Sequence, residues 1–542
     1  MVCWITFPTL LSGCGCLSCC RTATFALVLC YCMLLSTTAR AIRTMATTSA
    51  SNIKFNHVQN IAVIGAGPSG LAALKYLSAE NKFKRIVAFE QRSAPGGLWN
   101  YTAEDTDDGS FAVPKTRPTK DDLEKPIWRG GDKGRSPQFL SPVYDLLETN
   151  IPKQLMRFSD LEMPEESQLF PKHPTIKDYL ARYAEDVNHL VQFETQVLDV
   201  RLLDSKMDQN GLKEQWSVKT KGVVTGEEKE EVFDAVVVAN GHFFVPFIPD
   251  APGIKEWHQK HPGSITHSKF YRNPEAFKDK KVIVVGNSAS GIDIGTQVAT
   301  QCQLPLINSV KSSSYLSPGP TPSFKKEVPA IKQLDPSTRT AIFEDGSSES
   351  SIDSIIFCTG YFYSLPFLST VSPPLVTDGT RVHHTYQHTF FAPHPTLSFI
   401  VLNQRIIPFP TSEVQSAAIA RAYAGRLELP PYAQMRAWEE HTLAVNGEGN
   451  DFHTLAFPRD ADYINAMHDW AMSAQEEEGA ARGKTPPRWG EWHYWCRERF
   501  PEIKKAFAER GKAREQVRTL EELGFSFERW KKEKVVEAQS LL

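Results

Sequence analysis

The chain has 542 residues, 41% hydrophobic and 23% charged, with a formal net charge of −3. That composition is too apolar for a disordered chain and long enough for two domains with a helical appendage. A near-neutral charge balance creates no field that would hold nucleic acid or an anionic membrane surface, so small molecules are the expected partners.

Seven of the ten cysteines (Cys3, Cys14, Cys16, Cys19, Cys20, Cys30 and Cys32) precede Met45, leaving Cys302, Cys358 and Cys496 for the body. The body therefore has no disulfide framework and suits a reducing compartment. Residues 1–44 carry Arg21, Arg40 and Arg43, no acid, and the apolar run FALVLCYCMLL. That run is shorter than the roughly 20 residues that span a bilayer. Two readings stay open. The segment is a leader or anchor, which directs the chain to an endomembrane or secretory route and brings membrane contact only if retained. Alternatively, translation starts at Met45 and the protein is cytoplasmic.

The stretch Asn60 to Trp99 organises the rest of the chain. Ile61 to Ile64 form an apolar strand, Gly65, Gly67 and Gly70 make a G-x-G-x-x-G turn, and an apolar helix comes next. The first glycine permits the turn, the second lets a pyrophosphate approach the backbone, and the third lets the helix pack on the strand. Glu90 stands twenty residues after Gly70 at the end of a second apolar run, where a carboxylate accepts hydrogen bonds from ribose hydroxyls. A GGLW block then leads into a polar surface loop, 100–136.

From Pro142 the block VYDLLETNIPKQLMRF reads as a short amphipathic helix broken at Ile151-Pro152. Thr149 and Asn150 then fall at its end or in the following loop, and from local sequence alone Asn150 reads as a turn cap. Thr175 to His189 has helical periodicity. Phe193 to Leu203 reads as a strand, a polar hairpin comes after it, and Ala235 to Ala239 is a buried strand ending in Asn240-Gly241. The segment FDAVVVANG (233–241) is echoed by IDSIIFCTG (352–360).

Between these two strands lies a second fingerprint, KKVIVVGNSASGIDIGTQVA, with Gly286, Ser288 and Gly291 at the key positions. Ser288 replaces the middle glycine, and its hydroxyl offers a donor to phosphate. Twenty residues past Gly291 stands Lys311 rather than an acid, with Ser312 and Ser313 beside it; a cation there suits a ribose 2′-phosphate and favours NADP(H). The expected architecture is α/β, two nested Rossmann-like dinucleotide-binding domains with a helical C-terminal extension. Its expected boundaries are 1–44 for the leader-like segment, 55–248 and 359–430 for the two parts of an FAD domain, 249–358 for an NADPH domain and 431–542 for the extension. Two dinucleotide sites in one chain imply a flavin and a nicotinamide exchanging hydride, hence an oxidoreductase. A disulfide reductase is excluded, because no cysteine lies between Cys32 and Cys302.

Several further motifs coincide. HPGSITHSKFY carries Gly263, His267 and Tyr271 in an F-x-G-x-x-x-H-x-x-x-(F/Y) pattern, with His261 at the Phe position. Thr149 to Met156 reads T-N-I-P-K-Q-L-M, Thr359-Gly360-Tyr361 supplies a T-G-Y hinge, and LNQRIIPFPTSEVQSAAIA covers 402–420. On these residues the chain resembles the flavin-containing monooxygenases, particularly fungal ones, from about Asn60 to Arg426. The resemblance implies an NADPH- and O2-dependent activity of the N,N-dimethylaniline monooxygenase type, in which FAD is reduced and dioxygen adds to give a flavin hydroperoxide. A soft nitrogen or sulfur nucleophile then takes one oxygen atom. Tyr271, where Baeyer–Villiger enzymes typically carry Trp, favours heteroatom oxygenation. Ketone oxygenation, or an uncoupled NADPH oxidase or flavin-binding scaffold, is the alternative.

The resemblance also implies roles for residues. Asn150 is the asparagine near the flavin and the expected catalytic group, with Thr149 and Ile151 flanking it. Gly65, Ala66, Gly67, Pro68, Ser69 and Gly70 meet the flavin pyrophosphate. Glu90 holds its ribose, and Gly97, Leu98, Trp99 and Val197 line it. Gly286, Ser288, Ser290, Gly291 and Lys311 meet NADP. His267 is expected to be structural or close to pyrophosphate rather than a base. His383, His384 and His388 lack the carboxylates of a metal site, so no metal is expected. The tail from about Pro430, including Trp489, Trp492 and Trp495, reads as surface helices packed on the body.

Overall fold

The computed structural model describes residues 51–103, 108–130, 136–209, 211–312, 314, 316, 320–476 and 481–540. The leader-like segment 1–44 lies outside the described residues. Ile53 to Leu542 fold as one compact unit. Among the described residues no helix is long and apolar enough to cross a membrane.

Two sheets carry the architecture. The larger has seven strands in the order Thr385–Tyr386, Phe390–Phe391, Leu397–Phe399, Ala235–Val238, Asn60–Ile64, Arg85–Phe89 and Val191–Gln192. Its five strands from Leu397–Phe399 onward are parallel. The smaller has five parallel strands, ordered Ile265–His267, Ser354–Phe357, Val282–Val285, Leu306–Ser309 and Lys325–Val328. All the residues of the smaller sheet fall between Ala235–Val238 and Thr385–Tyr386 of the larger one, which is why two closing strands of near-identical pattern occur in the sequence.

Parallel strands are covered on both faces, and the side chains show it. Ile61, Val63, Ala235 and Val237 enter one buried cluster with the helices Pro68–Ala79 and Pro408–Tyr423. Their neighbours Ala62, Ile64, Val236 and Val238 enter another with Trp216 and Phe233 of the antiparallel sheet 195–233. A period of two on a two-sided strand gives this division and explains the continuous apolar runs. Ile283 and Ile355 against Val284 and Ile356 repeat it in the smaller sheet.

The two crossings of the chain between the sheets are paired with each other. Val245–Pro246 and Tyr361–Phe362 form an antiparallel ribbon, and the Phe247 N–H donates to the Gly360 carbonyl at 3.0 Å. The Thr359 hydroxyl also donates to the Phe247 carbonyl.

Three expectations are corrected. Residues 143–150 form no helix, because their backbone groups are taken by distant partners: Asp145 N–H donates to Arg272 O at 3.0 Å and Thr149 N–H to Pro171 O at 2.9 Å. The helix begins after the proline, at Lys153–Met156. Within the 100–136 loop, Ile127–Arg129 pairs with Ser136–Gln138. The tail helices pack on the body through the expected tryptophans, but more deeply than surface helices do: Trp489, Trp495, Cys496, Ile503 and Phe507 are buried in the same cluster as Pro68–Ala79. Helices Arg459–Met472 and Glu491–Glu509 close that cluster from outside, and Trp492 sits at its edge.

Candidate active site

Both glycine turns are tight enough to forbid a side chain at their first and third glycines. Gly65 has φ +97°, and a Cβ there would lie 2.9 Å from the Ala239 carbonyl oxygen; a Cβ on Gly70 would lie 2.0 Å from the Gly65 oxygen. The second turn repeats the design. Gly286 has φ +109°, with a Cβ position 2.6 Å from the Cys358 oxygen, and a Cβ on Gly291 would fall 2.2 Å from the Gly286 oxygen. In each turn the third glycine lets the helix N-terminus close on the preceding strand. Ser288 stands at φ −85° and is exposed, so the middle position of this turn accepts a side chain without strain.

One cavity of about 400 Å³ runs between these elements. Gly65, Gly67, Pro68, Ser69 and Glu90 line it from the first glycine turn and the end of the Arg85–Phe89 strand, Gly97, Leu98 and Trp99 from a short helical turn, Val197 from the antiparallel sheet, and Ser290 from the second dinucleotide helix. Ala66 and Gly70 lie directly behind the wall, both buried. Gly97 adopts φ +56° and approaches Gly67 so closely that a Cβ would sit 2.9 Å from the Gly67 Cα. Glu90 is 3% exposed. Its two oxygens accept from the Ala66 N–H at 2.8 Å and the Arg92 N–H at 2.9 Å. Burial pushes this carboxyl above the usual range, while the Arg92 charge and the two amides oppose the shift.

Other positions stand apart from the cavity wall. Thr149 is buried, Ile151 is buried, and Asn150 is exposed, its side chain making no hydrogen bond to any described residue. All three belong to a segment whose Pro142, Val143, Tyr144, Leu147 and Met156 do line the cavity. Lys311 is exposed beyond the second turn, and the Asn287 amide donates to the Ser312 carbonyl at 2.6 Å. Ser313 lies outside the described residues.

His267 is fully buried and joins the two motifs that flank the nested sheet. Its Nδ1 accepts from the Lys269 N–H at 3.1 Å, so the proton sits on Nε2, which donates to the Gly360 carbonyl at 3.0 Å. Burial pushes the ring down to about 3, so it is neutral. His261 packs edge-on to Trp257 and hydrogen-bonds the Pro336 carbonyl at 2.7 Å, filling with a polar ring the place of an aromatic one. Lys269 is buried and paired at 2.8 Å with Asp108, and at 2.8 Å with the Ser110 hydroxyl, which pins the polar loop against this motif. His383, His384 and His388 disperse to Thr377, Arg436 and His453, respectively.

Sequence reasoning passed over His242. This ring is 7% exposed and lines the cavity, and its Nε2 has no hydrogen-bond partner among the described residues. Burial pushes it down to about 4, against a backbone hydrogen bond at Val401. The signal was present: His242 directly follows Asn240-Gly241 at the carboxyl end of a parallel strand, where crevices form in such sheets.

The flavin-binding monooxygenase-like family model matches residues 119–318 and 325–476, and an NAD(P)-binding Rossmann-like model matches residues 63–115. The chain belongs to the flavin-binding monooxygenase-like family. Flavin-containing monooxygenase iboF of Amanita muscaria (strain Koide BX008) is 29% identical over 485 residues, covering 78% of this chain and 89% of its own. Flavin-containing monooxygenase FMO GS-OX4 of Arabidopsis thaliana is 33% identical over 388 residues, covering 70% and 76%. The solved structure of S-allyl-L-cysteine S-oxygenase from Allium sativum matches with a TM-score of 0.65 at 28% identity, over 86% of this chain and 96% of that one.

This is therefore a flavin-containing monooxygenase-type enzyme that uses FAD and NADPH. The residues present fit both cofactors. Each turn offers a helix N-terminus held close to the preceding strand by its third glycine, with Gly67 at the middle position of the first and the exposed Ser288 at that of the second. The Glu90 carboxylate lies in the cavity wall with lone pairs beyond the two it gives to amides.

Proposed function

We propose that the enzyme oxygenates a soft nitrogen or sulfur nucleophile of a small molecule, with Asn150 as the residue that governs coupling. The supporting observation is the shared cavity, which extends from the Gly65–Ser69 turn to Ser290 at the start of the second dinucleotide helix. Both cofactors then act on one shared space. FAD, when bound, takes two electrons from NADPH and activates dioxygen. For a sulfide the balance is sulfide, O2, NADPH and H+ giving sulfoxide, NADP+ and water.

The chain's own groups bind and exclude. The turn 65–70 and Glu90 hold the flavin's phosphates and ribose, and Gly97, Leu98, Trp99 and Val197 wall it. The second turn with Ser288, Ser290 and Lys311 holds NADP. The cavity's aromatic and aliphatic wall, with Phe243, Phe244, Tyr361 and Phe367, keeps water from the reacting atoms. His242 is neutral and no acid stronger than an amide is required beside the oxygen: the Asn150 amide, carried on the segment whose Leu147 and Met156 line the cavity, would donate there without releasing a proton. A nucleophile such as a thioether reacts without a base, so the reaction asks no proton transfer of the Glu90 and His242 groups in the wall. The S-oxygenase among the similar structures supports sulfur as one acceptor.

The test uses purified holoenzyme with NADPH and three probes: methyl phenyl sulfide, a tertiary amine and cyclohexanone. Sulfoxide or N-oxide is expected, and Asn150→Ala should divert NADPH consumption to hydrogen peroxide. Lactone as the main product, or identical product per NADPH in the variant, contradicts the proposal.

A further inference from the structure

The C-terminal extension reaches the segment that carries Asn150 through a single ammonium group. Lys504, on helix Glu491–Glu509, donates from Nζ to the Thr149 carbonyl at 2.8 Å. Its stem and charge lie over the Phe170 ring at 4.4 Å and the Phe507 ring at 5.3 Å. The same ammonium is 4.0 Å from the Glu148 carboxylate. Arg514, further along the extension, donates to the other oxygen of Glu148 at 3.2 Å, where Gln168 also donates at 3.0 Å.

Thr149 has no freedom left. Its N–H goes to Pro171, its hydroxyl donates to the Ile151 carbonyl at 3.0 Å, and its carbonyl goes to Lys504. Asn150, by contrast, is exposed and its side chain bonds to none of the described residues. What the structure holds of Asn150 is its backbone, through the preceding peptide whose oxygen is the Lys504 acceptor.

A second line leads from the same lysine to the nicotinamide-side helix. Asp293, on helix Ala289–Val298, is within electrostatic reach of Lys504. It accepts from the Tyr144 hydroxyl and from the Gln297 amide at 3.2 Å, and Gln297 in turn accepts from Tyr271 at 3.0 Å. Tyr144 lines the cavity. Lys504 thus ties the extension to the Thr149-Asn150 peptide, with the Asp293 charge of the second dinucleotide helix acting on it.

We infer that Lys504 is a positioning residue, fixing the Thr149 carbonyl so that the Asn150 amide stands where it acts on the activated oxygen. The inference rests on the proposed role of Asn150. A cation is suited to the task because a charge-assisted hydrogen bond to a carbonyl is stronger than a neutral one and holds a peptide that has no regular ladder around it. Displacement of a reacting geometry by about 1 Å costs roughly a hundredfold in rate, so loss of the tether is read in coupling rather than in folding.

The experiment compares Lys504→Met, Asn150→Ala, the double variant and Lys505→Gln, an exposed neighbour on the same helix. Hydrogen peroxide and oxygenated product are measured per NADPH, together with FAD content and Tm. Lys504→Met is expected to slow oxygen transfer by up to roughly a hundredfold, so that peroxide replaces oxygenated product as the main outcome per NADPH, with FAD content and the KM for NADPH retained. The double variant should be no worse than Asn150→Ala alone, because both act through one group. Lys505→Gln should match the wild type. If Lys504→Met does not fold, Lys504→Gln, whose head is too short to reach the carbonyl, gives the same readings. Unchanged coupling in the folded Lys504 variant, or losses that multiply in the double variant, overturns the inference. Asn150→Ala with normal coupling instead overturns the role of Asn150 on which it stands.

Discussion

Replacing Gly291 by alanine separates the two dinucleotide sites. The added Cβ would fall 2.2 Å from the Gly286 oxygen and 2.7 Å from its carbonyl carbon, and real Cβ contacts are essentially never under 3.0 Å. The obstacle is backbone, so the start of helix Ala289–Val298 must withdraw from the Val282–Val285 strand by about 0.8 Å. Overpacking of this kind costs about 1–3 kcal/mol. Charged to the phosphate-binding geometry, that is a loss of roughly 5- to 150-fold in affinity for NADPH. The assay is anaerobic bleaching of the bound flavin as NADPH is varied, with flavin content measured beside it. Half-saturation should move up by that factor while FAD remains stoichiometric. An unchanged NADPH dependence, or FAD lost to the same degree, would refute the assignment of this turn to the nicotinamide cofactor.

Glu90→Gln replaces one of two oxygens that accept from the Ala66 and Arg92 amides, leaving an N–H facing an N–H; FAD retention on gel filtration should fall severalfold. Glu413 is fully buried between the Ser159 hydroxyl at 2.6 Å and Lys484 at 3.7 Å, and burial pushes its carboxyl up to about 7. Folding then holds a proton that the unfolded chain releases near the ordinary value of about 4.5, so this group's contribution is lost as pH rises from about 4.5 to about 7. Glu413→Gln should flatten Tm against pH across that window, as read by differential scanning fluorimetry. Lys269→Met strands the buried Asp108 carboxylate and should cost about 3–5 kcal/mol in urea unfolding, with part recovered in Lys269→Met/Asp108→Leu.

Local chemistry was the legible part of this molecule. The apolar runs at 61–64, 235–238 and 282–285 could be read as strands because both faces of a parallel sheet are buried, and each glycine turn had a strand before it and a helix after it. The place of Glu90 in the cavity wall was legible from its offset alone. The helix expected over 143–149 failed for a physical reason: Tyr144 and Leu147 have helical spacing, yet the backbone around them is satisfied by Arg272 and Pro171, far away in the chain. Partners at such separations leave no local trace. The tail was under-read in the same way. Ile503 and Phe507 show a helix face, but the sequence does not say that this face meets Phe170. His242 and Lys504 escaped because neither residue type signals a site by itself. What distinguishes them is an unpaired nitrogen on a cavity wall and a carbonyl 2.8 Å away.

The most direct test of the account is oxygen accounting under 18O2. Purified holoenzyme, NADPH and methyl phenyl sulfide are mixed, and the product is analysed by mass spectrometry alongside NADPH consumed. One 18O atom in the sulfoxide for each NADPH, with the label absent when only the water is enriched, is the predicted result. NADPH oxidation that yields hydrogen peroxide and unlabelled or no sulfoxide would contradict it.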